Sequence, residues 1–391
     1  MKVCYVSHQP NLTGACQSLL DITSNWKGQD VEPVVLVRRK GPLTEELDKR
    51  NIRYKIIKYT TTTQSRKHKW KDLFRRIEDC MAVIKIKKFF KEEKFDIVHN
   101  NSLLSYVGME AAYRANIPYI CHIREFGSED HGIKFRNEKR LYSLIKHSSA
   151  TVFISDAIRK KFEVTASDTK QIIIYNGIDG KKYYQKHEEI LSGDVINILL
   201  AGRIAPQKGQ MEAIKAIEIM NNMGFNKCKL YIVGSIGNII YNKECIKYVE
   251  EHNLTNIEFK EFTDLKQMRH NCDICLMCST NEAMGRVTIE SMMSGCLTIG
   301  ADAGATPELI HHGETGLLYE SGNSKALADT IMSAHGNRQK MNEVAIRGQE
   351  YAVREYDIIR YNEKLRKLYG EIVCTSQTKG DRMEHNYENT N

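Results

Sequence analysis

Asn281-Glu282-Ala283-Met284-Gly285-Arg286-Val287-Thr288-Ile289-Glu290 carries two glutamates across a junction that reads as strand, loop and helix. Upstream, Ile274 to Cys278 is an apolar run suited to a buried strand, and Val287 to Met293 has helical spacing that ends at Gly295, a fitting C′ residue. The helix is therefore expected to start near Gly285. There the backbone N–H groups of Met284, Gly285, Arg286 and Val287 lack intrahelical partners and carry the positive end of the helix dipole, which suits an anion. Glu282 stands just ahead of them and can accept from hydroxyl groups. Glu290 lies roughly 8 Å further along the axis, at about 1.5 Å per residue, and its two oxygens match a vicinal diol.

Two glutamates at this spacing would, by themselves, read as solvated acids. A second segment changes that balance. Asn197 to Gly202 reads as a buried parallel strand; Arg203, a loop with Pro206, and Lys208-Gly209 follow, opening a helix with Met211, Ile214, Ile217 and Met220 on one face. Two cations thus stand past the carboxyl end of a strand, where open α/β sheets bind ligands. The chain has no Asp-x-Asp pair to hold a divalent ion on a pyrophosphate. Arg203 and Lys208 are then the groups expected to neutralise it, with no metal or other cofactor required.

Together, Gly202-Arg203-x4-Lys208-Gly209, Glu282-x7-Glu290, Thr306-Pro307-Glu308-Leu309-Ile310 and Gly313-x-Thr315-Gly316-Leu317-Leu318 resemble the retaining glycosyltransferases of family 4. Met1 to Ser7, Asp96 to His99, Val152 to Ser155 and Asn176 to Asp179 fall in the same order as in that family. The resemblance implies an α/β protein of GT-B fold, two Rossmann-like domains facing across a cleft. The second would hold the nucleotide sugar and the first the acceptor. It also implies that Pro10 to Gly14 borders the reaction centre, with Gly14 letting the backbone approach the donor phosphates. One departure is Ala283, where glycine is usual. Another lies in Pro118-Tyr119-Ile120-Cys121-His122-Ile123-Arg124: counted from Pro118, Arg124 stands where the family commonly has a sugar-binding histidine. If strand alternation holds, His122 and Arg124 point the same way; Arg124 is the preferred candidate, and a structural His122 stays open.

Organisation agrees with two domains. A chain of 391 residues can bury two cores, and βα units alternate from residue 1 to about 180. Expected strands are Val3 to Ser7, Val34 to Val37, Ile52 to Ile57, Ile97 to His99, Tyr119 to Ile123, Thr151 to Ile154 and Ile172 to Ile174. Lys181 to Asp194 loses periodicity and reads as the linker. The first domain is accordingly drawn as 1–186 and the second as 195–355, with strands from Val195, Leu230, Ile257, Ile274 and Leu297. The segment 356–374 is helical and, by resemblance, returns to the first domain, while 375–391 reads as a disordered polar tail.

No secretory signal or membrane-spanning run is legible, and eleven cysteines scattered through apparent strands and helices suit a reducing compartment. A cytoplasmic protein is the expectation. Cys272, Cys275 and Cys278 make two adjoining C-x2-C steps, but they lack a fourth ligand at matched spacing and read as buried apolar positions. Net charge is +8, and residues 66–94 concentrate it: eleven Lys or Arg against five Asp or Glu, a local net of +6. Trp70, Leu73, Phe74, Ile77, Met81, Ile84, Phe89 and Phe90 interleave with these charges. The segment can be an ordinary domain helix, a basic amphipathic surface for the inner face of an anionic membrane, or both.

The expected function is transfer of a sugar from a UDP- or GDP-linked donor to a saccharide or lipid-linked saccharide acceptor, as in polysaccharide biosynthesis. Glu282, Arg203, Lys208, Arg124 and His122 are the catalytic candidates. Gly14, Arg203, Lys208, Glu282, Met284, Gly285, Arg286, Val287 and Glu290 are the donor-binding ones. A nucleotide-sugar epimerase of the same architecture is the alternative within this reading. A non-catalytic polyanion binder is the other; the chain shows no interleaved aromatic and basic platform for nucleic acid.

Overall fold

Short apolar runs buried on both faces form parallel strands, because helices cover both sides of such sheets. The computed structural model describes residues 1–26, 30–64, 69–127, 134–163, 165, 169–186, 189–260 and 264–388. By its internal contacts the chain divides into two compact units. Unit 1 is Met1–Gly177 with Ile358–Asn391, and unit 2 is Ile178–Asp357.

Unit 1 contains β1 (Lys2–Val6), β2 (Glu32–Val37), β3 (Arg53–Ile56), β4 (Ile97–Asn100), β5 (Tyr119–Ile123), β6 (Ala150–Phe153) and β7 (Lys170–Ile173). Helices α1 (Gly14–Ser24), α2 (Pro42–Lys49), α3 (Lys69–Glu93), α4 (Val107–Ala115), α5 (Glu138–Lys146) and α6 (Asp156–Phe162) alternate with them. The strand order is β3-β2-β1-β4-β5-β6-β7, all parallel, with Val6 opposite both Leu36 and Asn100. The order reverses between β1 and β4, so the loops leaving those two strands part and open a crevice at their carboxyl ends.

Unit 2 begins with α7 (Gly180–Tyr183) and continues through β8 (Ile196–Ala201), α8 (Gln210–Asn222), β9 (Cys228–Val233), α9 (Ile239–Glu251), β10 (Ile257–Lys260), α10 (Leu265–His270) and β11 (Ile274–Met277). It ends with α11 (Arg286–Met293), β12 (Leu297–Ala301), α12 (Thr306–Leu309), β13 (Leu317–Tyr319), α13 (Ser324–Gly336) and α14 (Arg338–Glu355). The order β10-β9-β8-β11-β12-β13 reverses between β8 and β11, which pair through Ile274 and Ile198. The last helix, α15 (Ile358–Glu388), lies in unit 1, where Ile358, Tyr361, Leu365, Leu368, Tyr369 and Ile372 join the core built on Val3, Tyr5, Leu19 and Ile97.

Two readings of the sequence change. Lys181 to Asp194 is not a free linker: α7 runs into its start, and Ile190 and Leu191 are buried in the core of unit 2. The loss of periodicity arose because so few apolar residues anchor a stretch without long regular elements. Residues 187–188 of that stretch are outside the described residues. The second difference is the tail, whose residues through Glu388 continue α15. A charged sequence without proline can extend a helix already nucleated by packed turns; residues 389–391 are outside the described residues.

Candidate functional site

The switch point of unit 2 brings Lys208 and Glu282 together. After β8, Arg203 leads into the short turn Pro206–Lys208, and Gly209 follows with φ of +71°. A side chain there would be strained, and its Cβ would come within 2.2 Å of the Cys278 carbonyl oxygen. Glycine at this point therefore lets the loop after β8 lie directly on the end of β11. Thr280 N–H donates to the Gln207 carbonyl at 3.3 Å, closing the two loops onto each other. In consequence Lys208 Nζ donates to Glu282 Oε2 at 2.6 Å, in a pair that is partly exposed on both sides. An ammonium has three N–H donors, so Lys208 retains capacity for an anion beside Glu282.

Arg203 is turned toward the loop after β9, where Nη2 donates to the Gly237 carbonyl at 3.4 Å. Its own carbonyl accepts from Gln210 Nε2 at 3.2 Å. The helix α11 starts at Arg286, one residue past the position read from the sequence, and Gly285 caps it with φ of +90°, a conformation glycine adopts without penalty. Met284 is buried and Val287 packs against the cluster that contains Leu199 and Val233. Ala283 shows no positive φ, so alanine fits where the family resemblance expects glycine. Gly295 closes the helix at φ of +81°, the C′ position foreseen.

Glu290 sits among arginines. Its Oε2 accepts from Arg269 Nη2 at 2.8 Å, and its Oε1 lies 3.6 Å from Arg286 Nη2. Arg269 was missed from sequence: in Leu265–His270 it looks like one more solvated charge, yet it is fully buried. The cysteines beside this site do not converge. Cys278 faces the main core with Ile274 and Leu276, whereas Cys272 and Cys275 face a smaller cluster with Cys296 on the other side of the sheet. Among the described residues, no group of three or more His, Cys, Asp or Glu is placed to hold a metal ion.

Unit 1 handles its candidates differently. His122 and Arg124 do lie on one side of β5 and touch, Arg124 Nη2 standing 3.2 Å from His122 Nδ1, but both are buried. Arg124 Nε donates to Asn101 Oδ1 at 3.0 Å, Nη1 donates to Asn176 Oδ1, and Nη2 donates to Tyr361 Oη at 3.2 Å. Asn101 in turn donates to the Ala15 carbonyl at 2.9 Å, linking Arg124 to the start of α1, where Gly14 stands.

Behind Arg124 runs a chain whose direction can be worked out. A guanidinium only donates, so His122 Nδ1 accepts and His99 Nε2, 3.0 Å away, donates to it. His99 Nδ1 then accepts from Tyr369 Oη at 2.6 Å. Tyr369 accepts from Tyr5 Oη at 3.1 Å, and Tyr5 accepts from Trp26 Nε1 at 2.9 Å. Burial and the Arg124 charge hold both imidazoles well below the ordinary histidine value of 6.5, which keeps them neutral, as this direction requires. Asn101, Asn176, His99 and Tyr369 were not singled out from sequence, because nothing in local spacing brings them together.

Comparison with known proteins bears on the family and the fold. The family model described as Glycosyl transferases group 1 matches residues 184–351, and that described as Glycosyltransferase Family 4 matches residues 13–182. A capsular polysaccharide biosynthesis glycosyltransferase, CapM of Staphylococcus aureus, is 24% identical over 204 residues, 52% of this chain and 53% of that one. An Escherichia coli UDP-Gal:alpha-D-GlcNAc-diphosphoundecaprenol alpha-1,3-galactosyltransferase is 21% identical over 95% of this chain and 97% of its own. Among solved structures, Anabaena Alr3699/HepE in complex with UDP superposes with a TM-score of 0.80 at 24% identity, covering 95% of this chain and 100% of that one. The fold is GT-B, and the chain belongs to the group 1 glycosyltransferases of family 4.

Proposed function

We propose that this protein moves a sugar from a nucleoside-diphosphate donor, UDP or GDP, to a saccharide or lipid-linked saccharide, with retention at the anomeric carbon and without a resident metal. The Lys208–Glu282 pair carries the reading. It joins a phosphate-seeking cation to a hydroxyl-seeking carboxylate at the switch point where β8 and β11 pair. Anabaena HepE has been solved with UDP and with UDP-glucose, which supports this donor class, and the E. coli relative is named for transfer from UDP-Gal to a diphosphoundecaprenol-linked sugar, which supports both donor and acceptor class.

In this reading Glu282 accepts from the hydroxyls of the transferred sugar, and Glu290 from the ribose. Arg203, Lys208 and the N–H groups of Met284, Gly285, Arg286 and Val287 take up the diphosphate charge. The bond between anomeric carbon and phosphate oxygen breaks through an oxocarbenium-like transition state. The acceptor oxygen bonds the carbon from the same face, and the departing phosphate oxygen takes its proton. Gly14 lets backbone approach the donor phosphates. Arg124, its guanidinium committed inward, contributes through its main chain at the end of β5, and His122 supports it from behind. The test is incubation with UDP- and GDP-sugars and saccharide acceptors, with product stereochemistry read by NMR in the presence and absence of a chelator. An inverted product, a loss of turnover on chelation, or conversion of the donor with no acceptor present would overturn it.

The same proposal extends to a membrane surface. Among the described residues no helix is long and apolar enough to cross a membrane. Along α3, however, Trp70, Leu73, Phe74, Ile77, Met81 and Ile84 fall on one helical face and are each at least 51% exposed, while Ala82, Val83, Ile86, Phe89 and Phe90 bury the other. A water-facing stripe of large apolar residues marks an interaction site, and the basic side chains of the helix favour an anionic bilayer. Residues 66–68, the start of the basic run, are outside the described residues. Salt-sensitive sedimentation with anionic but not neutral vesicles is expected, and equal recovery with both would remove this part.

A further inference from the structure

Arg269 spends a buried charge on one contact. Its side chain is 0% exposed, and among the described residues its one hydrogen bond goes from Nη2 to Glu290 Oε2. Among the described residues, Nε and Nη1 have no hydrogen-bond partner. The guanidinium lies 5.6 Å from the centroid of the Tyr183 ring, an aromatic face that offsets only part of the lost hydration. An apolar side chain of similar volume would fill this place without stranding two N–H groups. What the arginine adds is therefore to be sought in what it does to Glu290.

The other oxygen of Glu290 faces Arg286, one turn earlier on α11, across 3.6 Å. That gap is longer than a hydrogen bond, although the i,i+4 spacing would allow the pair to close. Oε2 is held by Arg269, so the carboxylate cannot rotate to close it, and Oε1 stays available. We infer that Arg269 is a positioning residue for the donor site: it pins Oε2 of Glu290 so that Oε1 is presented to the ribose diol of the nucleotide instead of collapsing onto Arg286. This rests on the reading of Glu290 as the ribose acceptor given above.

Calorimetric titration of UDP and GDP, each against its 2′-deoxy form, into the wild type, Glu290→Gln, Arg269→Met and Arg269→Gln tests it. The wild type should prefer the ribonucleotide by about tenfold or more, the scale of one hydrogen bond to a charged group. Glu290→Gln should lose most of that preference, and Arg269→Met should lose it to a similar degree while its far-UV circular dichroism stays that of the wild type. A merely structural role for Arg269 would weaken both forms equally. Arg269→Met that keeps the wild-type ratio, while Glu290→Gln does not, overturns the role of Arg269 and leaves the donor site standing. A wild-type ratio in Glu290→Gln overturns the ribose assignment and this inference with it. Should Arg269→Met fail to fold, Arg269→Gln decides, and an undiminished ratio in that variant overturns the inference.

Discussion

Each unit brings basic side chains to the carboxyl ends of its parallel strands, but they are used in opposite ways. In unit 1 Arg124 is buried, with all three guanidinium nitrogens hydrogen-bonded to Asn101, Asn176 and Tyr361 and with His122 against it. In unit 2 Lys208 meets Glu282 and remains about one-third exposed, with side-chain exposure of 32%, and the Arg203 side chain makes a long bond to a carbonyl. A charge at a strand end becomes available to a ligand only where the surrounding loops leave its donors unspent. The Arg124 network instead converts a strand end into part of the core.

Acidification should separate the two regions most strongly. His99 and His122 have folded values well below 6.5, and burial with two nearby arginines brings His8 down to about 4. Below about pH 6.5 the unfolded chain binds more protons at these positions than the folded one, so stability falls with falling pH. The loss is about 1.4 kcal/mol per histidine for each pH unit until the folded value is reached. Calorimetry between pH 7 and 4.5 should show unit 1 melting ahead of unit 2; parallel destabilisation of both would break the contrast. Next in size, Arg203→Ala or Lys208→Ala should lower kcat by roughly 10²–10³, the range for one preorganised electrostatic contact, and wild-type turnover in either would remove the donor assignment.

Smaller effects test whether the two sets of cations differ in stability as they do in exposure. Arg124→Met should lower unfolding free energy by about 1–3 kcal/mol through the acceptors it strands, whereas Lys208→Met should change it by no more than about 1 kcal/mol. Urea titrations giving equal shifts would contradict the division drawn here. Tyr369→Phe should cost about 1 kcal/mol, the net value of an ordinary hydrogen bond, by interrupting the chain between Tyr5 and His99.

Much of this was legible in local pattern. Strands such as Tyr119–Ile123 and Leu297–Ala301 announce themselves as apolar runs, and the helix start, within one residue of Gly285, follows from helical spacing together with the later C′ glycine. Lys208 and Glu282 were each expected at the donor site, but the ion pair between them was not read. By contrast, Arg124 looked like a ligand-facing residue because, counted from Pro118, it stands where the resemblance expects a sugar-binding histidine; its partners lie 23, 52 and 237 positions away. Arg269 was hidden for the same reason, since a short charged helix gives no hint that one of its side chains faces the interior. What local pattern withheld was which charged side chains the fold turns inward.

The placement of α15 fixes an order of events during synthesis. Tyr5 and Tyr369 are hydrogen-bonded neighbours 364 residues apart, and the core of unit 1 is unfinished until Ile358 through Ile372 are in place. A nascent chain leaving the ribosome therefore has the whole of Ile178–Asp357 in hand before the final wall of the earlier unit emerges. The half translated first is the half that completes last, and until then the pocket around Tyr5, Trp26 and His99 is surface that a chaperone can occupy.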